Sequence, residues 1–157
     1  MRKGIVIIAM FFVFLAGCDW AGPPTVYPYE FVQDSTQIAQ IDIIYRDAYT
    51  RKYNEDEITI LKVLEASEHQ QMLDGILGLQ GGYRVPPPGV LGHYIIRITY
   101  QDGTKELVSY YGCAHRTPEG EIESNTHWNY SFFDNDAFLS LISSFIGEEV
   151  TEPPYVE

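Results

Sequence analysis

Between Tyr94 and Tyr111 the chain carries the signature of a β-hairpin. Tyr94, Ile96, Ile98 and Tyr100 alternate with Ile95, Arg97 and Thr99. That period of two sends successive side chains to opposite faces of a strand. Gln101-Asp102-Gly103-Thr104 then turns the chain, and Asp-Gly is the favoured pair for a type I′ turn. Glu106 to Tyr111 returns as the partner strand. Such short connections favour antiparallel neighbours, so the hairpin commits the chain to an antiparallel sheet.

The other elements are arranged around it. Ile41 to Arg46 is rich in β-branched residues and reads as a first strand, and Glu57 to Leu64 as a second, separated by a polar turn. Ser67-Glu68-His69-Gln70 has the spacing of a capping box, with Met72, Leu73, Ile76 and Leu77 at helical spacing behind it, predicting a helix over 68–78. Tyr83 to Val90 holds three successive prolines and reads as an extended loop. Residues 114–125 read as an acidic loop. Thr126 to Phe133 reads as a fifth strand, with Trp128, Tyr130 and Phe132 on one face. Asp134 or Asn135 caps a last helix. Its stripe is Phe138, Leu141, Ile142 and Phe145, and Gly147 stands where a left-handed residue ends it. The order β-β-α-β-β-β-α predicts an α+β fold: an antiparallel sheet of about five strands with two amphipathic helices on one face.

At the other end of the chain, Arg2 and Lys3 precede the apolar run Ile5 to Leu15, which closes on Leu15-Ala16-Gly17-Cys18. The run is shorter than the roughly 20 residues a spanning helix needs, and its basic start and small-residue end are those of a secretion signal. This segment resembles the lipobox of a bacterial lipoprotein precursor. The resemblance implies cleavage before Cys18 and a diacylglyceryl group on that cysteine. It thereby implies a lipid anchor holding the chain to the extracytoplasmic face of a cell membrane. Asp19 after the lipidated cysteine implies inner-membrane retention in enteric bacteria. The layout divides into a signal (1–17), a lipidated Cys18 with a Pro-rich tether (18–38), the α+β domain (39–147) and an acidic tail (148–157). Aromatic residues of the tether are free to dock on the domain. The domain resembles small bacterial lipoproteins in layout without matching a named family.

Charge and cysteine usage narrow the function. The chain has 10 Lys+Arg and 22 Asp+Glu; the signal removes two basic residues and no acid, leaving a net charge of −14. This argues against nucleic acid, which demands a basic footprint, and against electrostatic adhesion to anionic lipid. With Cys18 lipidated, Cys113 has no intramolecular disulfide partner.

Cys113 and His115 share a strand face by i, i+2 geometry and are a candidate thiol pair, without a local protease signature around them. Cys113, His115, His127 and His93 lack the spacing of a known metal motif. Glu119, Glu121 and Glu123 lie in the acidic loop, and Asp134-Asn135-Asp136 fits helix capping better than a calcium loop. No pattern calls for a cofactor. Tyr83 and Arg84, beside the rigid proline run, are the candidate contact for an envelope protein partner. The readings are a non-enzymatic protein-binding lipoprotein, a small thiol-dependent enzyme using Cys113 and His115, or a structural envelope lipoprotein. Cys18→Ala is expected to abolish labelling by fatty acid and to leave the precursor uncut. A variant that still takes up label overturns the lipobox reading.

Overall fold

The computed structural model describes residues 24–47, 54–83, 91–119 and 130–153. Among these, the elements run β1 (Ile38–Arg46), β2 (Ile58–Val63), α1 (Ala66–Gly78), β3 (Gly81–Tyr83), β4 (Tyr94–Tyr100), β5 (Lys105–Val108), β6 (Cys113–Arg116), β7 (Tyr130–Phe132) and α2 (Asn135–Ile146). Short 3-10 turns at Ser35–Gln37 and Glu55–Glu57 lead into β1 and β2.

The main sheet is antiparallel, in the order β2-β1-β4-β5-β6, and β3 pairs with β7 in a separate two-stranded sheet. Alternation sorts the side chains. Ile41, Ile43, Ile96, Ile98 and Val108 join Met72, Leu73 and Ile76 of α1 and Phe138, Ile142 and Phe145 of α2 in one core. Ile44, Ile95, Leu107 and Ala114 form a second cluster with Leu91 on the opposite face. The α+β class, the five-stranded antiparallel sheet and the two helices on one face are as the sequence implies.

The last helix follows its signals closely. The Asp134 carboxylate accepts from the Ala137 amide at 3.0 Å, and Gly147 ends the helix at φ 87°. Leu141 of its stripe is half-buried and faces α1, where a Cβ on Gly75 would run into its Cδ1. Gly75 therefore lets the two helices approach. Lys62 of β2 reaches the other end of α2 and donates to the Phe145 carbonyl at 2.8 Å. A cation there complements the helix dipole.

Four local readings are corrected. The helix starts at Ala66, and the side chain that reaches back is that of Glu68, which accepts from the Glu65 amide at 2.9 Å. Ser67 and Gln70 do not form the box, because the chain enters the helix earlier. The hairpin turn is not type I′: Gly103 (φ 88°) takes the left-handed conformation and Asp102 does not. Gly103 N–H instead donates to Tyr100 O, and Tyr100 N–H to Thr104 O, making a longer loop that ends on a left-handed glycine. The return strand stops at Val108, because Ser109 donates to the Gly112 carbonyl through its hydroxyl (2.7 Å) and its amide (3.1 Å). That turn sends the chain back as β6, so Cys113 to Arg116 is strand where 114–125 reads as loop. The expected fifth strand survives only as β7 among the described residues, and it pairs with β3 outside the main sheet. Trp128 and His127 lie outside the described residues.

The two helices allow a direct check on burial. Phe138→Ala removes a fully buried ring and is expected to cost about 3–5 kcal/mol in urea unfolding. Leu77→Ala, at a side chain 49% exposed, is expected to stay within about 0.5 kcal/mol of the unmodified protein. A loss below about 1 kcal/mol at Phe138 would contradict this packing.

Candidate functional site

The segment before β1 enters the domain. Tyr27 N–H donates to the Gly81 carbonyl at 3.0 Å, which lays residues 25–27 beside β3. Two residues on, Tyr29 is buried in the main core. The part of the 18–38 tether that is described is therefore packed on the domain, because its aromatic rings find apolar cover there.

Tyr29 and Tyr100 converge on Glu106. Each hydroxyl donates at 2.5 Å, Tyr29 to Oε1 and Tyr100 to Oε2, and the Val32 amide reaches Oε2 at 3.3 Å. Glu106 has no solvent exposure. Burial raises its pKa above the ordinary carboxylate range, while the three donors pull it down. Burial also raises the pKa of both tyrosines, with Glu106 adding to the effect, so both keep their protons.

Cys113 lies beside this cluster. It is fully buried, its Sγ is 4.0 Å from the Ser109 carbonyl, and burial pushes its thiol up to about 12. His115 shares its strand face and is 2% exposed, so the structure brings the pair together inside the core. A thiol nucleophile needs the thiolate and access to substrate, and this environment denies both. His93 donates through Nδ1 to the Arg46 carbonyl (2.7 Å) and stacks on Tyr45. Among the described residues, no three His, Cys, Asp or Glu side chains are placed to hold a metal ion.

On the other face, Arg97 donates to Asp42 Oδ2 through Nε (2.9 Å) and Nη2 (2.6 Å), and to Glu55 through Nη1 at 2.5 Å. Lys105 holds the other Glu55 oxygen at 2.6 Å. Asp42 and Arg97 are register partners across β1 and β4, so the network fastens three strands to the turn that starts β2. Its charges are mutually satisfied and leave little to offer a ligand.

Two apolar surfaces remain. The first is a row of aromatic contacts running inward from the surface. Tyr27 packs on Tyr83 (ring centroids 5.4 Å apart), Tyr83 on Tyr130 (5.5 Å) and Tyr130 on Tyr29 (5.1 Å). Its outer members are exposed: Val26 by 55%, Tyr27 by 45% and Tyr83 by 41%. Tyr83 is thus accessible at the surface. Arg84 and the proline run lie outside the described residues, as does Cys18.

The second surface is β2. It is an outer strand of the sheet, and among the described residues none pairs with its far side. Ile60 and Val63 are 50% exposed and Leu61 39%. Ile60 and Val63 pair with Ile44 and Asp42, which puts both on the face away from the helices, and the register shifts between them. Acids flank the strand at both ends: Glu55, Asp56 and Glu57 before it, Glu65 and Glu68 after it. Sequence reasoning missed this surface, because Ile58, Ile60 and Val63 carry the pattern of a strand with a buried face.

No protein-family model, curated protein or solved structure matches this chain. Among the described residues, no helix is long and apolar enough to cross a membrane.

The Glu106 cluster links stability to pH. A raised carboxyl pKa favours the protonated form in the fold, so its contribution is whole below the ordinary value and lost as pH rises through the folded one. The urea midpoint of the unmodified protein, relative to Glu106→Gln, is expected to fall as pH is raised from about 4.5 to about 8. A constant difference across that range would mean that Glu106 does not carry the linkage.

Proposed function

We propose that this chain is a lipid-anchored domain on the extracytoplasmic face of a cell membrane, and that it recognises another protein rather than transforming a substrate. The anchor rests on Leu15-Ala16-Gly17-Cys18 and the basic, apolar run before it. The observation that carries recognition is the β2 edge, unpaired among the described residues, with Ile60, Leu61 and Val63 exposed beside it.

An exposed apolar edge strand is a template for pairing, and natural proteins blunt or cover such edges. An added strand would satisfy the outward N–H and C=O groups of β2 and lay its side chains against Ile60 and Val63. Asp56 and Glu57 before β2 and Glu65 after it favour a segment with Lys or Arg on either side of an apolar stretch. They also disfavour a second copy of this chain, whose net charge has the same sign. The thiol-enzyme reading using Cys113 and His115 loses support from their burial.

A photo-crosslinking residue at Thr59 is expected to capture an envelope protein in cells. Ile60→Lys with Val63→Lys should abolish capture and leave the melting temperature nearly unchanged, since both side chains are half exposed. Tyr83→Ala should leave capture intact. Undiminished capture by the double variant, or loss on Tyr83→Ala alone, removes the β2 edge from consideration. If Cys113→Ser destroys the cellular phenotype without destabilising the fold, the enzyme reading replaces this one.

A further inference from the structure

We infer that the face formed by Val26, Tyr27 and Tyr83 rests on the lipid headgroup layer, so that the anchor fixes the orientation of the domain as well as its location. The inference rests on lipidation of Cys18.

Chain length makes the first part of the case. Val26 follows Cys18 by eight residues, and eight residues span at most about 29 Å when fully extended. The ordered domain is wider than this, at roughly 34 Å for about 110 residues. The end that bears Val26 is therefore confined to the membrane side, while distant parts of the domain are free to lie farther away. A tether this short also keeps the face at high local concentration against the bilayer, so weak contacts suffice.

The chemistry of the face makes the second part. Val26, Tyr27 and Tyr83 are all exposed, and the two rings touch. Tyrosine has an apolar body and a polar tip, the combination enriched where headgroups meet hydrocarbon. Residues 24–33 and 79–83 contain no Lys or Arg, and Glu30 is their one acid. Such a face suits aromatic insertion among zwitterionic headgroups, with Arg84 as the one cation next to Tyr83 in sequence. It is also held rigid before contact. Tyr130 donates its hydroxyl to the Tyr27 carbonyl at 2.9 Å, and Tyr27 N–H is fixed on Gly81. Little side-chain or backbone freedom is then lost on docking.

The geometry of the sheet agrees with this orientation. The small sheet of β3 and β7 attaches at the β5–β6 side, where Phe132 N–H donates to the Tyr110 carbonyl at 3.1 Å. β2 lies at the far edge, four strand spacings of about 4.8 Å from β6. Seating the tyrosine face on lipid thus leaves the β2 edge open.

The test uses the mature lipidated protein in phosphatidylcholine vesicles. One sample carries a nitroxide at Thr25→Cys and another at Ile60→Cys, with Cys113 buried and unlabelled. Collision with a water-soluble nickel chelate is expected to be several-fold lower at position 25 than at position 60, and collision with oxygen higher. Replacing Tyr27 and Tyr83 by Ser, with the lipid retained and the melting curve unchanged, should bring position 25 toward the value at position 60. Mass spectrometry of the same sample reports the lipid. A chain without a diacylglyceryl group overturns the anchor and the seating together. A lipidated chain with equal chelate access at the two positions overturns the seating alone. So does a photo-crosslinker at Tyr83 that joins a protein instead of lipid in native membranes.

Discussion

A buried carboxyl holds this domain together. Glu106 joins β5 to β4 through Tyr100 and to the segment before β1 through Tyr29 and Val32. An acid in a core costs several kcal/mol unless its oxygens are met by donors. Here donors arrive from two separate parts of the chain, Tyr100 at the end of β4 and Tyr29 with Val32 ahead of β1. The segment around Tyr29 cannot leave without stranding both the Glu106 oxygen and a cluster of aromatic rings. The small sheet depends on it in turn, because residues 25–27 lie along β3 and Tyr29 packs on Tyr130 and Phe132. Such a cluster fixes a unique arrangement more than it adds raw stability.

Much of the scaffold is legible in the sequence where the cause is local. Period-two alternation in β4 and the capped, glycine-ended stripe of α2 depend on neighbours within a few residues, and both appear as written. The rest depends on partners far along the chain. Tyr29 and Glu106 are 77 residues apart, and nothing near either residue announces the bond. Cys113 to Arg116 reads as the start of an acidic loop until Ser109 is seen closing a turn on Gly112. The β2 edge fails to show for a related reason. An isoleucine that faces solvent and one that faces a core look alike in sequence, and only the strand order separates them. The exposure of Tyr83 accords with its place beside a proline-rich loop, but its ring contact with Tyr27, 56 residues earlier, has no local signal.

The layout divides the molecule's apolar surface. Helices α1 and α2 cover one face of the sheet, and the Arg97–Asp42–Glu55–Lys105 network ties the other near the start of β2. Apart from Leu77 on α1, the large apolar side chains exposed among the described residues are gathered at the tyrosine face and along β2. Four of the twelve tyrosines belong to the first of these, where rings run from Tyr27 through Tyr83 and Tyr130 to Tyr29 and join surface to core. Among the described residues, Cys113 and its histidine neighbour His115 sit in the interior.

The way the N-terminal segment enters the fold has a mechanical consequence. Any pull on the chain ahead of Val26 arrives first at the Tyr27–Gly81 bridge and only then at Tyr29 in the core. The two are loaded in series, the weaker one outermost. Under rising force the segment through Pro28 peels from β3 first and lengthens the free chain by about 3.4 Å for each residue released. The Glu106 clasp then takes the load as a far stiffer stop. The segment behaves as a short elastic leader in front of a locked anchor point, absorbing small displacements without opening the core.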